Sequence, residues 1–418
     1  MNPEIGLQSS TREKLQAARR AAPQVAELST EAKNALLLTM AEGLLERTEA
    51  ILAANRIDVE TSGLTDATLD RLILTAERVK AMAQGLRDVA ALTDPVGETV
   101  DEWERPNGLR IRKVRVPLGV VAIVYEARPN VTIDAIALAL KAGNAVVLRG
   151  GKEATRSNAC LAEIAATVPG IPAGAIQLLD SGTRESVQQL LKARGLVDVI
   201  VPRGGAGLIQ FVVENSTVPV IETGAGNCHV YVDEAADLAM ADSIVINAKT
   251  SRPSVCNAAE KLLVHRAIAR EYVPRIVKQL LDHDVEVRGD AESVRLAGDL
   301  QMSVASEGDW EEEYLRLCMA VKVVADMDEA MEHIHRHSTG HSETIVTADE
   351  KRARRFLRAV DSAVVYWNAS TRFTDGGEFG FGSEMGVSTQ KLHCRGPFAL
   401  TELTSSKYEV VGTGQIRK

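Results

Sequence analysis

The chain has 418 residues, of which 45% are hydrophobic, and its formal net charge is −9. A chain of this length exceeds what one hydrophobic core usually supports, so two lobes are expected. No basic stripe interleaved with aromatic residues is present, which argues against a nucleic-acid surface. No apolar run approaches the roughly 20 residues of a spanning helix, and residues 1–22 lack the plan of a signal peptide. A cytoplasmic protein without a membrane partner is therefore expected.

The cysteines exclude two further classes of protein. They are odd in number and no pair has Cys-x-x-Cys spacing, so neither a disulfide framework nor a zinc site is predicted, and no other metal site is expected. Each of the five is a possible reduced thiol with a function: Cys160, Cys228, Cys256, Cys318 and Cys394.

The chain opens with helices. Between residues 9 and 92 the apolar residues recur at intervals of three and four, and Ser29 offers a helix cap. Residues 109–116 then alternate apolar with cationic side chains, which predicts a strand with one solvent-exposed face. Such a strand belongs to a sheet edge or to an interface between subunits.

Five short β-branched runs follow, separated by helical patterns. Continuous apolar strands that alternate with helices predict a doubly wound α/β lobe with a parallel sheet covered on both faces. Ligands bind at the carboxyl ends of such strands, so the segments after these runs form the predicted ligand rim. The runs lie at residues 119–125, 145–148, 175–179, 197–201 and 218–221.

The rim contains glycines but no G-x-G-x-x-G fingerprint after the first strand. Residues 203–207, RGGAG, allow the backbone to approach a phosphate at the start of the next helix. Alternatively, Gly204 and Gly205 form a plain turn.

A second α/β pattern carries Cys256. Its predicted strands lie at residues 229–232, 261–264, 320–324 and 343–346, and the basic run 351–355 is predicted to be a solvated helix face. Residues 374–382 are rich in glycine and aromatic side chains, which predicts an irregular loop folded over a site.

The residues around Cys256 favour a reactive thiol. The segment TSRPSVCN at residues 250–257 has the turn composition that exposes a side chain. Arg252 favours the thiolate by Coulomb attraction, and if Cys256 begins a helix, the free amides there add to this effect. The alternative is a buried cysteine that acts as a small hydrophobic residue.

The order of these parts resembles the aldehyde dehydrogenase superfamily. Within this superfamily, the chain is most similar to the branch that reduces an acyl phosphate. The similarity extends from the helical opening almost to Lys418. It rests on VYEARPNVT at residues 124–132, LRGGKEA at 148–154, RPSVCNAAE at 252–260, GHS at 340–342 and the segment 379–397.

The resemblance implies roles for four residues. Cys256 matches the nucleophile, and the side-chain amide of Asn130 joins the Cys256 backbone amide in an oxyanion hole. Glu222 matches a general base of hydrolytic relatives and is assigned proton handling or a structural role, while Glu313 matches a glutamate that holds the nicotinamide ribose. From the residues alone, Asn130 caps a helix beginning at Val131, and Glu313 lies on a solvated acidic run.

The resemblance further implies the reaction and its ligands. The expected activity is NADPH-dependent reduction of L-glutamyl 5-phosphate to L-glutamate 5-semialdehyde and phosphate, the second step of proline biosynthesis from glutamate. Phosphate contacts are expected at Gly204 and Gly205, although this loop departs from the superfamily pattern. Sequence proximity suggests four ligands for the anionic groups of the substrate: Arg128, Lys249, Arg252 and Ser254.

Lys152 points to NADPH over NADH. NAD-using relatives commonly have a glutamate at its position, and a lysine reverses the sign of the charge that meets a 2′-phosphate. Arg149 is expected to assist. Alternatively, both cations lie on an exposed loop, loosely paired with Glu153.

The implied architecture has three parts. Residues 1–97 and 117–222 form a cofactor-binding domain, residues 223–395 a catalytic domain, and residues 98–116 and 396–418 a small β element for oligomerisation. A homo-oligomer is expected, as is a transient complex with glutamate 5-kinase. Two other interpretations of the function remain: a thiol acyltransferase or hydrolase, and a nucleotide-binding scaffold on the same fold.

Overall fold

The structure is a computed structural model that describes residues 10–417. Ser9 and Lys418, the ends of two predicted segments, lie outside the described residues. The chain divides into two compact units. The first contains the chain up to Glu222, Gly380–Gly386 and the chain from Phe398 onward, and the second contains Thr223–Phe379 and Val387–Pro397.

The first unit opens with the predicted helices. Ser10, Ser29 and Thr75 each accept a hydrogen bond from a first-turn amide, so local capping sets where three of these helices begin. Their apolar faces are buried. The helical opening is therefore confirmed, and its elements are α1 (Thr11–Ala26), α2 (Thr30–Glu46), α3 (Thr48–Thr61), α4 (Asp66–Leu72) and α5 (Ala76–Ala91).

A parallel sheet of four strands forms the centre of this unit, in the order β5-β4-β3-β6. Every residue of β3 is buried, as expected for a strand covered on both faces. The strands are β3 (Val120–Tyr125), β4 (Ala145–Arg149), β5 (Ile176–Leu178) and β6 (Val199–Arg203), and the helices between and after them are α6 (Pro129–Lys141), α7 (Thr155–Ala166), α8 (Arg184–Leu191) and α9 (Ala206–Asn215).

The prediction of a fifth strand at residues 218–221 is wrong. This segment forms only an isolated bridge, between Val220 and Ile200 of β6. Pro219 in the segment and Pro202 in β6 both lack the N–H group that would continue the ladder. The apolar pattern therefore reflects burial of this segment without strand pairing.

A separate antiparallel sheet of three strands completes the first unit, in the order β1-β2-β16. The strand predicted at residues 109–116 is confirmed as β2, and it pairs with a strand from the C-terminal segment 396–418. Trp103 and Tyr408 meet edge to face across this sheet, with ring centroids 6.1 Å apart. The strands are β1 (Thr99–Glu104), β2 (Arg110–Pro117) and β16 (Thr404–Val411).

The second unit is built on a parallel sheet of seven strands, in the order β10-β9-β11-β8-β7-β12-β13. The four predicted strands are confirmed as β7, β8, β11 and β12. The strands are β7 (Cys228–Val232), β8 (Ala259–His265), β9 (Glu286–Gly289), β10 (Ser303–Val304), β11 (Cys318–Val324), β12 (Ser342–Val346) and β13 (Val364–Trp367).

Five helices pack around this sheet, and the predicted helix over the basic run is confirmed as α14. Its arginines form ion pairs, including Arg352 with Asp233 and Arg355 with Asp328. The helices are α10 (Leu238–Thr250), α11 (Arg266–Asp282), α12 (Ala291–Ala297), α13 (Met327–His337) and α14 (Glu350–Ala359).

The remaining regular elements are short. Strands β14 (Gly386–Ser388) and β15 (Gly396–Phe398) form a two-stranded sheet, and 3-10 helices lie at Lys152–Ala154, Glu307–Trp310, Thr371–Phe373 and Thr401–Leu403. Residues 374–382 contain no helix or strand, as predicted. Within residues 10–417, none of the helices is both long and apolar enough to span a bilayer.

Candidate active site

The carboxyl ends of β3, β4 and β6 lie at one edge of the first unit's sheet, and a cavity of about 690 Å³ opens there. Its lining includes Lys152 and Arg184, two exposed cations that form no ion pair with any residue between 10 and 417. Sequence reasoning missed Arg184, although it is the first residue of α8 and lies close behind the predicted run at residues 175–179. The cavity therefore presents two cations that form no ion pair, and Glu153 is a carboxylate in the same lining.

Arg149 lines the same cavity, but its guanidinium is already hydrogen-bonded to backbone carbonyls. Its guanidinium donates to the carbonyl oxygens of Gly150 at 3.2 Å, Ser181 at 3.3 Å and Thr183 at 3.2 Å. Burial lowers the pKa of Arg149, and Asp180 and Glu153 partly oppose that shift. Arg149 thus fastens the loop after β5 to the end of β4.

The side-chain carboxylate of Glu126 lies against Gly204 and Gly205, the glycine pair after β6. The backbone N–H of Gly205, which caps α9, donates to Oε1 of Glu126 at 3.0 Å. A Cβ atom on Gly204 would lie 2.6 Å from Cδ of Glu126, so a larger residue would displace that side chain. Glu126 begins the rim segment predicted after the run at residues 119–125, but its contact with this glycine pair was not predicted. It competes with any phosphate group for this helix terminus.

Asn130 lies inside α6, which begins at Pro129 with Arg128 as its cap residue. The predicted capping role for Asn130 is therefore wrong. Its Nδ2 donates to Oδ2 of Asp134 at 3.1 Å, which leaves the second N–H of the amide for another acceptor. Burial raises the pKa of Asp134 to about 6, with the Asn130 hydrogen bond and Arg203 opposing the shift.

In the second unit, Cys256 lies in a series of turns between α10 and β8. No helix begins at Cys256, so the amides of such a helix start do not contribute to its charge environment. Cys256 is partly exposed, whereas Cys228 and Cys318 are fully buried. The interpretation of Cys256 as a fully buried hydrophobic residue is also wrong.

The turns around Cys256 are anchored by a segment more than 110 residues further along the chain. The carbonyl of Asn257 accepts from Oγ1 of Thr371 at 2.7 Å, and Asn257 Nδ2 donates to the Thr374 carbonyl at 2.8 Å. Arg372 donates to Oγ of Ser251 at 2.9 Å and also to Oδ1 of Asn257. Sequence reasoning missed Arg372, because nothing local indicates which loop it meets.

The predicted substrate ligands of this unit differ in availability. Arg252 is exposed and makes no ion pair in the described part of the chain, and Ser254 is half-buried. Lys249 is fully buried, and its Nζ lies 2.6 Å from Oε2 of Glu260. The prediction of Lys249 as a substrate ligand is therefore corrected: it forms a structural ion pair, because a buried and paired ammonium cannot also meet a substrate in this arrangement.

Glu313 is half-buried, and its Oε1 accepts from the backbone N–H of Gly226 at 2.7 Å. Burial raises the pKa of Glu313, with the Gly226 hydrogen bond opposing the shift. The solvated interpretation of the acidic run holds for Glu311 and Glu312, which are exposed, but is wrong for Glu313 and for Asp309, which is buried and bound by Arg288 at 2.5 Å. Glu222 and Arg128 are both half-buried.

No group of three or more histidine, cysteine, aspartate or glutamate residues suited to a metal ion occurs within residues 10–417. The five cysteines are all reduced. Two separate sets of residues thus stand out: a cationic cavity at the sheet edge of the first unit, and an anchored thiol in the second.

The model of the aldehyde dehydrogenase family matches residues 6–295 of this chain. This match covers more than half of the sequence and defines the class of protein as an oxidoreductase of that family. The family uses a nicotinamide cofactor, and the cavity with its unpaired cations fits a group that carries phosphates.

Named relatives narrow this class. The chain is 78% identical to gamma-glutamyl phosphate reductase of Koribacter versatilis over 408 residues, which is 98% of this chain and 100% of the relative. The crystal structure of gamma-glutamyl phosphate reductase from Thermotoga maritima matches with a TM-score of 0.96 at 47% identity, covering 98% of this chain and 100% of that one. The chain belongs to the aldehyde dehydrogenase family and, within it, to the gamma-glutamyl phosphate reductases.

A more distant neighbour shares the fold alone. The acetylating aldehyde dehydrogenase from Geobacillus thermoglucosidasius is 21% identical, with a TM-score of 0.68 and coverage of 98% of this chain and 97% of that one. The predicted α/β fold with parallel sheets is thus confirmed.

Proposed function

We propose that this chain reduces L-glutamyl 5-phosphate to L-glutamate 5-semialdehyde and phosphate, as the second step of proline synthesis from glutamate. The observation that carries the proposal is the partly exposed Cys256 in an anchored turn, in a chain 78% identical to a named gamma-glutamyl phosphate reductase. The expected substrate is a small molecule with a phosphate and a carboxylate.

The chemistry begins at Cys256. Its thiolate attacks the γ-carbonyl carbon, the bond from that carbon to the phosphate oxygen breaks, and phosphate leaves with the electron pair, so that a thioester forms. When bound, the nicotinamide cofactor supplies the hydride that the thioester carbonyl carbon needs. Breaking of the C–S bond then returns the thiolate to Cys256 and releases the aldehyde.

The remaining residues stabilise charge and orient the substrate. The Asn130 side-chain amide and the Cys256 backbone amide are proposed as donors to the developing oxyanion. Arg252, Ser254 and Arg128 are the proposed ligands of the anionic substrate. Arg372 joins this group as a cation that holds the turn of the nucleophile.

The acidic residues are proposed in supporting roles. Glu313 is proposed to hold the nicotinamide ribose, and Glu222 to handle a proton or to support the fold, because a water activated to hydrolyse the thioester would waste the substrate. The three-part division of the chain is proposed with residues 1–97 and 117–222 binding the cofactor, residues 223–395 carrying the catalytic residues, and residues 98–116 and 396–418 forming the oligomerisation element.

One assay tests the overall activity. L-Glutamate 5-semialdehyde, phosphate and NADP should together produce reduced nicotinamide, measured by its absorbance, and omission of phosphate should stop the reaction. An acyltransferase or hydrolase would release acyl product without this absorbance change. A nucleotide-binding scaffold would give neither signal.

We infer a preference for NADPH from the charge of the cavity. Lys152 and Arg184 are proposed to contact the 2′-phosphate, while Arg149 holds the loop that positions them, with Gly204 and Gly205 near the pyrophosphate. The direct contact predicted for Arg149 is replaced in this proposal because its terminal nitrogens already bind three carbonyls. A charge-assisted contact contributes roughly 1.5–3 kcal/mol when it is partly shielded from water.

Lys152→Glu is expected to lower kcat/KM for NADPH by about tenfold or more, since a carboxylate repels the 2′-phosphate and one contact is lost. The value for NADH should stay the same or rise. Lys192→Glu is the matched control: an exposed lysine of the same unit that does not line the cavity, and it should leave both values unchanged. An equal loss with both cofactors would contradict a contact between Lys152 and the 2′-phosphate.

Association into a homo-oligomer is proposed through the three-stranded sheet. Its exposed apolar side chains include Trp103, Tyr408 and Val410, and β16 contributes two of these three. Exposed apolar side chains grouped on one small sheet are typical of a surface that another chain covers.

Deletion of the residues after Ser406 is expected to yield monomers or insoluble protein, because most of β16 and its pairing with β2 are removed. Size-exclusion chromatography measures the change. Deletion after Thr413 is the control, since it retains all of β16 and should elute as the full chain does. An unaltered elution volume after the longer deletion would contradict association through this sheet.

A cytoplasmic location and a transient complex with glutamate 5-kinase are part of the same proposal. The acyl phosphate is unstable in water, so direct transfer from the enzyme that makes it would reduce its loss by hydrolysis. Co-sedimentation of the two purified enzymes in the presence of ATP and glutamate tests the complex.

A further inference from the structure

Cys228 lies directly beneath the turn that carries Cys256. It is the first residue of β7 and is fully buried, and its Sγ donates to the carbonyl oxygen of Cys256 at 3.2 Å. The neighbouring Gly226 approaches the same carbonyl so closely that an added Cβ atom would lie 1.5 Å from the oxygen. The carbonyl of the proposed nucleophile is therefore held by a donor on one side and by close backbone packing on the other.

The same thiol also contacts a buried hydrogen-bond network. Cys228 Sγ lies 3.7 Å from Nδ1 of His341, which lies 2.8 Å from Oγ of Ser342. Ser342 Oγ lies 2.6 Å from Oγ1 of Thr374, whose carbonyl accepts from Asn257. These contacts form a continuous chain that connects the Cys256 carbonyl, through buried side chains, to Asn257, the residue that follows Cys256.

Cys228 is suited to donate and not to react. Burial is the main cause that raises its pKa well above the usual range, and Glu343, Cys256, Glu260 and Glu313 add to the shift, so the S–H proton is retained. The nearer of its two polar neighbours is the Cys256 carbonyl, which accepts from Sγ at 3.2 Å, whereas Nδ1 of His341 lies 3.7 Å away. His341 stays neutral, because burial lowers its pKa to about 4.

We propose that Cys228 is a positioning residue for Cys256: its S–H holds the carbonyl of the nucleophile and thereby fixes the backbone that orients the Cys256 thiol and amide. This inference rests on the proposed role of Cys256. Cys228 itself is fully buried and takes no part in the proposed chemistry. A misplacement of about 1 Å at a reacting group has a large effect on rate, so the fixed backbone contributes to turnover.

Three substitutions separate the hydrogen bond from the packing. Cys228→Ser keeps a donor of similar size, Cys228→Val fills the space without a donor, and Cys228→Ala removes both. The kcat of Cys228→Val and Cys228→Ala should fall about three- to tenfold, the usual value of one neutral hydrogen bond, with KM changed less than kcat. Cys228→Ser should recover most of the lost kcat, because its hydroxyl also donates.

Cys318→Ala is the matched control, because Cys318 is likewise a fully buried thiol at the first residue of a strand in the same sheet. It should lose stability as Cys228→Ala does while keeping its kcat. Melting temperatures and the Kd for NADP, measured for all variants, identify any general loss of folding. If Cys228→Ala is insoluble, Cys228→Val against Cys228→Ser makes the same comparison.

Two results would overturn the proposal: a kcat of Cys228→Val equal to that of the wild type, or a Cys228→Ser variant as impaired as Cys228→Val. Failure of the proposed function gives a different signature, since Cys256→Ala would then retain turnover whatever happens at Cys228. Alkylation of Cys256 by iodoacetamide, followed by peptide mass spectrometry, reports whether its thiol remains accessible in each variant.

Discussion

Cys256→Ala is expected to lower the formation of reduced nicotinamide from semialdehyde, phosphate and NADP by several powers of ten. The thioester cannot form without the thiol, and a nucleophile that acts together with oxyanion donors contributes most of its effect jointly with them. Cys256→Ser should be nearly as inactive, because a hydroxyl has a far higher pKa than a thiol and no adjacent histidine is proposed to activate it. Steady-state assays across enzyme concentrations measure the loss.

The matched control for this change is Cys160→Ala. Cys160 is also partly exposed but lies on α7 of the first unit, so its removal should leave turnover unchanged. The Cys256 variants should melt at the wild-type temperature and bind NADP with the wild-type Kd, because the side chain is small and partly exposed. Near-normal turnover in Cys256→Ala would contradict the thioester mechanism.

Asn130→Ala is expected to lower kcat by about a hundredfold or more, the usual effect of losing one oxyanion donor. KM should change little, since the donor acts chiefly on charge that develops in the transition state. Parallel measurement of kcat and KM in the absorbance assay separates these two effects.

Asp134→Asn is the control for the local hydrogen bond, because it alters the partner of Asn130 while leaving the amide of Asn130 in place. Its effect on kcat should be much smaller than that of Asn130→Ala. If Asn130→Ala changed KM alone, Asn130 would be a binding residue and the proposed oxyanion role would be wrong.

Much of the fold follows from local patterns. The helical opening is predictable because caps such as Ser29 and the apolar periodicity act within a few residues of each other. The central strand β3 is predictable because a fully buried parallel strand requires a continuous apolar run. The resemblance to a known family adds the order in which these elements assemble.

The errors arise where pairing depends on distant residues. Residues 218–221 have the composition of a strand, yet the prolines at positions 202 and 219 prevent a ladder with β6. Strand β10 has two exposed residues and is a strand only because β9 lies beside it. Such short edge elements have no apolar signal of their own.

For the candidate site, the sequence by itself determined the exposed turn around Cys256, the lysine at position 152 and the glycines after β6, because turn composition and charge are local properties. Only the tertiary structure decided which neighbours these residues meet. Arg372 reaches Asn257 across 115 residues, Glu126 reaches Gly205 across 79, and Lys249 is removed from the substrate by burial against Glu260. Packing of the sheets creates these contacts and sets how much water each charge retains, and neither property can be read from residues that are close in sequence.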